Sequence, residues 1–340
     1  MRVAVYRSNR DVRLEEMPRP PIGEGEILMR VEASGICGSD VMEWYRVAKA
    51  PLVLGHEVAG TVAETGPGVG SFRVGDRIVT THHVPCGECR YCRSGNENVC
   101  DLLRATHFEP GGFAECVRLP KVNVEKGTFL LPGSVSFEEG SFVEPLACVV
   151  RAQRIAKVGA GTTALVLGSG ISGILHVKLA RALGARVLAT DVSPYRLDAA
   201  RAAGAHAVFR ADSDVPAEVR GANDGRLADA VLVCTAALPA IAQAFRCVER
   251  GGTILFFAPA APGVTFPVPM HDVWKEGITL AHSYAGPPSD MREALALIAT
   301  RRIDVASMVT HRLGLAETQE GFRLVADAAE SLKVIVEPQR

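Results

Sequence analysis

The stretch TALVLGSGISGILHVKLARALGARVLATD, residues 163–191, decides the fold because it joins an apolar strand, a glycine-rich turn, a helix and a second strand. Gly168, Gly170 and Gly173 form the pattern G-x-G-x-x-G after a strand and at the start of a helix, the context that a dinucleotide-binding motif requires. Gly168 makes the turn, Gly170 lets the backbone approach a pyrophosphate, and Gly173 lets helix and strand pack closely. The stretch therefore predicts a nucleotide-binding domain.

The residues that follow these glycines indicate which nucleotide is bound. The helix begins at Ile171 and Ser172, where free N–H groups can receive phosphate. Asp191 ends the second strand, and its carboxylate would accept hydrogen bonds from the adenosine ribose hydroxyls and repel a 2′-phosphate. The pattern thus favours NAD over NADP. Arg196 lies nearby in the sequence and could in principle serve a 2′-phosphate, but a solvated helix charge is the favoured interpretation.

The surrounding sequence predicts two domains. Short apolar runs alternate with helical stretches over residues 149–286, which is typical of a doubly wound parallel sheet, the Rossmann arrangement. Residues 1–148 contain β-branched runs punctuated by proline and glycine, which predict a β-rich domain. Residues 287–340 are too short to form a domain, and we expect them to return to the first one. The predicted class is α/β.

A cysteine-rich stretch, PCGECRYCRSGNENVC, occupies residues 85–100. Its four thiols have the spacing C-x2-C-x2-C-x7-C, which lets a short loop wrap a tetrahedral ion. Zinc is favoured over an iron–sulfur cluster, although the spacing itself allows both. A site closed by four thiolates has no open position for a substrate, so we expect a structural zinc. The predicted ligands are Cys86, Cys89, Cys92 and Cys100.

Composition limits the other possibilities. The 340 residues carry a formal net charge of -1, which gives no electrostatic reason to expect binding to nucleic acid or to an anionic membrane. No stretch holds the roughly 18 uninterrupted apolar residues that a membrane span needs. The opening MRVAVYRSNRDVRLEE is charged in a way that is untypical of a signal peptide. We therefore expect a cytoplasmic protein with reduced thiols.

A second possible metal site is divided between two short motifs. GICGSD, residues 35–40, carries Cys37, Ser39 and Asp40, and LGHEVAG, residues 54–60, carries His56 and Glu57. A thiolate, an imidazole and a carboxylate suit a catalytic zinc, which keeps one position open for substrate. Each of these residues on its own has a simpler structural explanation. Their combination with a thiol quartet and a dinucleotide motif indicates a zinc site with a catalytic role.

These motifs, taken with VGDRIVT at residues 74–80 and EPLAC at residues 144–148, resemble the zinc-dependent medium-chain alcohol dehydrogenases over essentially the whole chain. The most similar branch is that of sorbitol (L-iditol) and other polyol dehydrogenases. The resemblance implies a GroES-like catalytic domain, two zinc ions per chain, and NAD. It also implies transfer of a hydride from a secondary alcohol or polyol to NAD, giving the ketone, by a homo-oligomer (dimer or tetramer).

The resemblance also implies roles for single residues. Cys37 and His56 would bind the catalytic zinc, and Glu57 or Glu144 would be the third ligand or a carboxylate that exchanges with water. Ser39 would hydrogen-bond the substrate hydroxyl and pass its proton on. Asp40 would orient His56, since zinc-bound histidines usually need such a partner. Lys333 would contact the cofactor pyrophosphate. The alternative interpretation is that Lys333 is an exposed surface lysine.

Two departures from the family pattern bear on the substrate and the proton path. Met42 stands where many relatives carry a histidine that continues the proton relay, so Glu43, another residue or water must take that role. Ser283 stands near the position where sorbitol dehydrogenases carry an arginine that holds the polyol. Because threonine dehydrogenases share much of the pattern, an amino alcohol is an alternative substrate. His82 and His83 could line the substrate cleft, but structural or exposed roles are favoured.

Two other functions compete with this interpretation. Zinc-free quinone reductases are related proteins, but they lack the thiol and imidazole ligands that Cys37 and His56 would provide. A noncatalytic, zinc-stabilised nucleotide sensor is the alternative from another class. Formation of NADH from NAD and an alcohol distinguishes an enzyme from such a sensor.

Overall fold

The computed structural model describes all 340 residues, which divide into two compact units. Unit 1 comprises residues 1–147 and 285–340, and unit 2 comprises residues 148–284. The structure places the boundaries after residues 147 and 284. The boundaries expected from the sequence, after residues 148 and 286, are one and two residues later than these.

The strands, in chain order, are β1 (Arg2–Ser8), β2 (Asp11–Glu16), β3 (Ile27–Gly35), β4 (Leu52–Val53), β5 (Glu57–Thr65), β6 (Arg77–Thr80), β7 (Cys116–Leu119), β8 (Thr128–Leu130), β9 (Thr163–Leu167), β10 (Arg186–Asp191), β11 (Ala207–Arg210), β12 (Ala228–Val233), β13 (Val248–Phe256), β14 (Thr279–His282), β15 (Val309–Gly314) and β16 (Lys333–Glu337).

The α-helices are α1 (Glu43–Arg46), α2 (Arg90–Arg93), α3 (Asp101–Ala105), α4 (Lys121–Gly127), α5 (Phe137–Ser141), α6 (Val143–Ile155), α7 (Ile171–Ala182), α8 (Pro194–Ala202), α9 (Val215–Ala222), α10 (Leu238–Cys247), α11 (Met270–Lys275), α12 (Pro288–Ala299) and α13 (Thr318–Asp327). Short 3-10 turns lie at Val47–Lys49, Glu97–Val99, Ala306–Met308 and Leu315–Glu317. None of these helices has the length and apolar character that crossing a membrane would require.

Unit 2 is built on a six-stranded sheet with the order β11-β10-β9-β12-β13-β14, in which every neighbouring pair is parallel. All five residues of β9 are buried, because strands covered on both faces have no solvent side. The order reverses beside β9, which is the switch point where doubly wound sheets bind ligands. The predicted parallel, doubly wound sheet is confirmed.

Unit 1 is built on a sheet with the order β15-β16-β3-β5-β6-β8, and β7 also pairs with β3. A smaller sheet has the order β2-β1-β4. The C-terminal strand β16 pairs with β3, so the last part of the chain belongs to the first domain. Aromatic packing holds this tail in place, because the ring centroid of Phe322 lies 5.5 Å from that of Tyr6 and 5.8 Å from that of Phe113.

Candidate active site and metal centres

The four-thiol cluster forms a compact group within one loop. The sulfur atoms of Cys86 and Cys92 lie 3.9 Å apart, those of Cys89 and Cys92 3.5 Å apart, and those of Cys86 and Cys100 3.7 Å apart. Four sulfurs around a tetrahedral zinc, each at the usual Zn–S distance of about 2.3 Å, would be separated by about 3.8 Å. The sulfur geometry therefore fits one zinc ion.

Backbone N–H groups of the same loop point at these sulfurs. The N–H of Cys89 donates to Cys86 Sγ at 3.3 Å, that of Glu88 to the same sulfur at 3.4 Å, and that of Cys86 to Cys100 Sγ at 3.4 Å. Such donors favour the thiolate form, which is the form that binds a metal. The turns that bring them together use Gly87 and Gly95, at φ values of 85° and 76°.

The mixed-ligand group is assembled by the pairing of β3 with β5. Gly35, the last residue of β3, lies opposite Glu57, the first residue of β5, so the residues just beyond, Cys37 and His56, fall side by side. The ligand atoms of Cys37, His56 and Glu57 all lie within 4.8 Å of one another. A soft thiolate, an imidazole and a carboxylate match the donors that zinc uses in catalytic sites, so this group fits zinc as well.

Asp40 contacts His56 from a completely buried position. Its Oδ1 lies 3.4 Å from His56 Nδ1, and its Oδ2 accepts the N–H of Cys37 at 3.0 Å. Burial raises the pKa of the Asp40 carboxyl, but His56, Arg46 and the N–H of Cys37 together outweigh it, so the pKa is lowered. Burial likewise opposes the imidazolium, yet Asp40 and Cys37 raise the pKa of His56 well above its usual value. The negative charges that favour a cationic ring here would equally favour a metal cation.

Glu57 is paired with Lys333, and both side chains are buried. Burial raises the pKa of Glu57, and the Lys333 ammonium opposes that shift. The pair occupies the space above Gly35, where an added Cβ would lie 2.2 Å from Glu57 Oε2 and 2.5 Å from Lys333 Cε. Any larger residue here would require the Glu57 and Lys333 side chains to move. Lys333 is therefore not a surface lysine, and its contact with a cofactor pyrophosphate stays a prediction.

Glu144, in the first turn of α6, forms a different group with two histidines that the sequence analysis did not favour as site residues. The ligand atoms of Glu144, His82 and His83 lie within 4.8 Å of one another, and His83 Nδ1 is 3.9 Å from Glu144 Oε1. The ring centroids of His82 and His56 are 4.9 Å apart, so this group adjoins the Cys37 group. The adjacency of His82 and His83 to the thiol quartet was the one sequence signal for them.

Glu144 remains anionic in this environment. Burial opposes its charge, but the nearby His83 and the charge of His56 lower the pKa of the carboxyl. The charges of His56 and Lys333 act to lower the pKa of both Glu57 and Glu144, although the two carboxylates belong to different groups of ligand atoms. The ligand atoms of Cys37 and His56 lie with that of Glu57, and the choice between Glu57 and Glu144 as the third ligand stays a prediction.

The residues expected to carry the proton lie around the start of α1. Ser39 Oγ is 3.4 Å from Cys37 Sγ, next to the mixed-ligand group. Met42 precedes α1, and its carbonyl accepts the N–H groups of Tyr45 and Arg46. The carboxylate of Glu43 accepts the N–H of Asn9 at 3.1 Å, so one of its oxygens is already engaged. Arg46 also contacts Ser39, a contact that no sequence motif indicated.

The glycine-rich turn of unit 2 has the geometry that a pyrophosphate needs. Gly168 has a φ of 91°, in the left-handed region that favours glycine. A Cβ on Gly173 would lie 2.0 Å from the carbonyl oxygen of Gly168, so the close approach of helix and turn requires a glycine. A Cβ on Gly170 would meet only the Arg196 guanidinium, at 3.9 Å or more, so the space over this residue is open. The helix α7 starts at Ile171 and Ser172.

Asp191 ends β10 and holds the turn by hydrogen bonds. Its Oδ2 accepts the N–H of Ser169 at 2.7 Å, and its Oδ1 accepts the N–H of Ser193 at 2.9 Å. Arg196 Nε is buried without a hydrogen-bond partner, close to Gly170. An anion at the turn would supply that partner. The predicted ribose contact of Asp191 and the cofactor contact of Arg196 stay predictions.

Ser283 follows β14 in unit 2. Its N–H donates to the carbonyl of Phe256 at 3.3 Å, and its hydroxyl oxygen is buried without a hydrogen-bond partner. The short hydroxyl cannot replace the reach of an arginine.

Many folds bind nucleotides, and many loops bind zinc. The class of protein is defined by the combination of these features. Unit 1 carries both a closed thiol site and a mixed-ligand site, and unit 2 carries the dinucleotide turn. This combination defines the zinc-binding dehydrogenases that use a nicotinamide cofactor.

Comparisons with known proteins agree with this class. Residues 23–129 match the alcohol dehydrogenase GroES-like domain, and residues 172–300 match the zinc-binding dehydrogenase family. Sorbitol dehydrogenase from Bacillus subtilis is 31% identical over 100% of this chain and 98% of its own. Sorbitol dehydrogenase from Gallus gallus is 32% identical over 98% and 95%. An alcohol dehydrogenase from Thermus sp. ATN1 superposes with a TM-score of 0.87, at 29% identity over 99% of both chains.

The chain belongs to the zinc-binding medium-chain alcohol dehydrogenase family. It is a zinc-dependent, NAD(P)-dependent oxidoreductase of that family, and the expected GroES-like and Rossmann domains are confirmed.

Proposed function

We propose that this enzyme oxidises a secondary alcohol or polyol to the ketone with NAD as the hydride acceptor. The observation that carries the proposal is the group formed by Cys37, His56 and Glu57 with the Ser39 hydroxyl beside it. The similarity to sorbitol dehydrogenases over the full length supports a polyol.

Each residue of the mixed-ligand group and its neighbours has a separate role in this proposal. A zinc ion held by Cys37, His56 and one glutamate supplies Lewis acidity toward an alcohol oxygen. In this proposal Ser39 hydrogen-bonds the substrate hydroxyl and passes its proton on, and the 3.4 Å distance from its Oγ to Cys37 Sγ supports that role. Asp40 fixes the ring of His56 through Nδ1, which leaves Nε2 for the metal. Lys333 opposes the effect of burial, which raises the pKa of Glu57.

NAD is preferred to NADP in this proposal because of Asp191. Its carboxylate lies at the end of β10, where a 2′-phosphate would meet a second negative charge. Arg196 favours the other outcome, since its guanidinium lies beside Gly170 and could stabilise an extra phosphate. We expect Asp191→Ala to weaken NAD binding and to raise the NADP-to-NAD ratio of kcat/KM. A wild-type preference for NADP in parallel assays would overturn the cofactor assignment.

The test of the activity is NADH formation by the zinc-loaded full chain with matched alcohols. D-sorbitol and xylitol represent polyols, 2-butanol represents simple secondary alcohols, and L-threonine represents the amino-alcohol alternative that Ser283 leaves open. We expect turnover with at least one polyol, and its loss in Cys37→Ser. Preference for L-threonine would replace the polyol assignment. NAD binding without turnover of any alcohol would instead support a nucleotide sensor. The expected homo-oligomer and cytoplasmic location stay predictions.

A further inference from the structure

Arg46 holds a position that the proposed activity does not use. It is the last residue of α1, and its side chain is only 14% exposed. Its Nε donates to the carbonyl of Ser39 at 3.0 Å, and its Nη2 donates to Ser39 Oγ at 3.2 Å. The same Nη2 lies 3.3 Å from Asp40 Oδ1. One guanidinium therefore contacts both the predicted proton acceptor and the carboxylate that orients the metal-site histidine.

Ser39 and Asp40, the two residues that Arg46 contacts, each contact a predicted metal ligand. Ser39 Oγ donates to Cys37 Sγ at 3.4 Å, and Asp40 Oδ1 lies 3.4 Å from His56 Nδ1. Arg46 thus reaches Cys37 through a hydroxyl and His56 through a carboxylate. The Ser39 hydroxyl accepts from Arg46 and donates to sulfur, so its orientation is fixed from both sides.

The chemistry of the guanidinium decides what it can do here. Arginine stays protonated in proteins and has no acceptor atom, so Arg46 cannot take up the proton that Ser39 must release. Its planar fork of N–H donors can, however, hold several acceptors in a fixed arrangement, which an ammonium on a flexible stem does less well. The contacts therefore suit a residue that positions its neighbours.

We propose that Arg46 is a positioning residue of the catalytic metal centre, which fixes the Ser39 hydroxyl and the Asp40 carboxylate and through them the ligands Cys37 and His56. The inference rests on the proposed assignment of these two residues as ligands. Partners that orient metal ligands typically change metal affinity or activity by about 10–100-fold when they are removed.

The chain offers a matched control in Lys49. The Lys49 ammonium lies 4.5 Å from the ring centroid of Tyr45, and the Arg46 guanidinium lies 4.6 Å from the same centroid. Lys49→Met removes a positive charge from this ring but leaves the hydrogen bonds to Ser39 and Asp40 in place. Arg46→Lys keeps the charge but removes the fork, and Arg46→Met removes both.

The experiment measures cobalt binding by the full-length chain. Thiolate-to-cobalt absorption that is present in the wild type and missing from Cys37→Ser reports the catalytic site and excludes the thiol quartet. Competition with a chelating indicator gives the cobalt affinity of that site. We expect Arg46→Met to lower the affinity about 10–100-fold and to shift the thiolate band. Arg46→Lys should retain only part of the wild-type cobalt affinity and should shift the thiolate band less than Arg46→Met does. Lys49→Met should match the wild type in both measurements.

A second comparison tests whether Arg46 acts through its two neighbours. In a chain that already carries Ser39→Ala and Asp40→Asn, the further change Arg46→Met should alter cobalt affinity less than about twofold, because effects transmitted through a shared partner are not additive. The proposal is overturned if Arg46→Met binds cobalt with wild-type affinity and spectrum, or if Lys49→Met causes an equal loss.

Two further outcomes have a defined meaning. If Arg46→Met does not fold, Arg46→Lys decides the question, and a wild-type affinity and spectrum for that variant overturn the proposal. If Cys37→Ser keeps the complete cobalt spectrum, the ligand assignment itself has failed, which overturns the proposed function and this inference together. A loss of cobalt affinity in Arg46→Met with an intact Cys37 band supports the inference even where no alcohol substrate has been found.

Discussion

The two metal centres of unit 1 are built in opposite ways. The thiol quartet takes its ligands and its backbone donors from residues 86–100, within a single loop. The mixed-ligand centre takes Cys37 from the residues after β3 and His56 and Glu57 from the start of β5, and Lys333 reaches Glu57 from a strand at the other end of the chain. A local site depends on its metal to hold the loop, whereas a site assembled by the sheet is held by the fold. Loss of the metal should therefore have different consequences at the two centres.

The sharpest test of this difference is Cys37→Ser. Loss of the thiolate should lower kcat/KM at least about 10³-fold, because Lewis-acid stabilisation contributes several kcal/mol to the transition state. The melting temperature should change little, since β3, β5 and Asp40 hold the centre without the metal. Steady-state kinetics and thermal unfolding on the same preparation measure both effects. A large loss of stability would show that the mixed-ligand centre also depends on its metal.

The reciprocal variant, Cys89→Ser, should act on stability. A quartet with three thiolates binds zinc weakly, and the binding energy of a structural zinc contributes to folding energy. We expect the free energy of unfolding to fall by several kcal/mol, less than the roughly 10–16 kcal/mol of structural zinc binding, because unit 1 also has its own apolar core. Denaturant unfolding with zinc analysis checks this. Full stability with one zinc lost would contradict the structural role.

The same difference explains what the sequence could predict. The quartet was identified completely, because all its ligands are close together in the chain. The parallel sheet of unit 2 was identified from one turn and the strands around it. Cys37 and His56 were found through motifs, but the pairing of Glu57 with Lys333 spans 276 positions and required the β3–β5 and β3–β16 registers.

Arg46 shows the limit of sequence patterns most clearly. It follows Ser39 by seven positions, across a turn and the short helix α1, and no motif marks that spacing. His82 and His83 were visible as residues, but their position beside Glu144 depends on where α6 packs. Contacts that join separate elements are set by packing, and one sequence carries no direct record of them.

A smaller loss of stability is expected from Lys333→Met, which tests whether the buried ion pair of Lys333 and Glu57 stabilises the mixed-ligand centre. Lys333→Met leaves Glu57 buried without its cation, and breaking a buried ion pair costs about 3 kcal/mol. The double variant Lys333→Met with Glu57→Gln should recover part of this loss. As a matched control, Arg312→Met breaks a partly exposed pair with Glu138 and should cost less than about 1 kcal/mol. Denaturant unfolding compares the three. Equal losses for Lys333→Met and Arg312→Met would contradict the role given to burial.

The smallest expected effect concerns the proton path at the mixed-ligand centre. The chain has Met42 where many relatives carry a histidine, Arg46 cannot accept a proton, and Glu43 is engaged by the N–H of Asn9. Met42→His should raise the rate of the hydride step at low pH, where proton release is hardest. The side chain can change without loss of α1, because Met42 supports that helix through its carbonyl.

The gain from Met42→His should be below about tenfold, since general acid–base assistance contributes roughly 10²–10⁴-fold and the existing route already supplies part of it. Steady-state turnover would hide the gain wherever cofactor release is slower than chemistry. Pre-steady-state measurement of hydride transfer across pH therefore gives the decisive value, with Glu43→Gln as the companion variant. If both variants leave that step unchanged at every pH, neither position belongs to the proton path, and the proton leaves Ser39 through water. The mixed-ligand centre would then still differ from the quartet in its construction and its chemistry. Like the quartet, however, it would have no proton relay built from side chains.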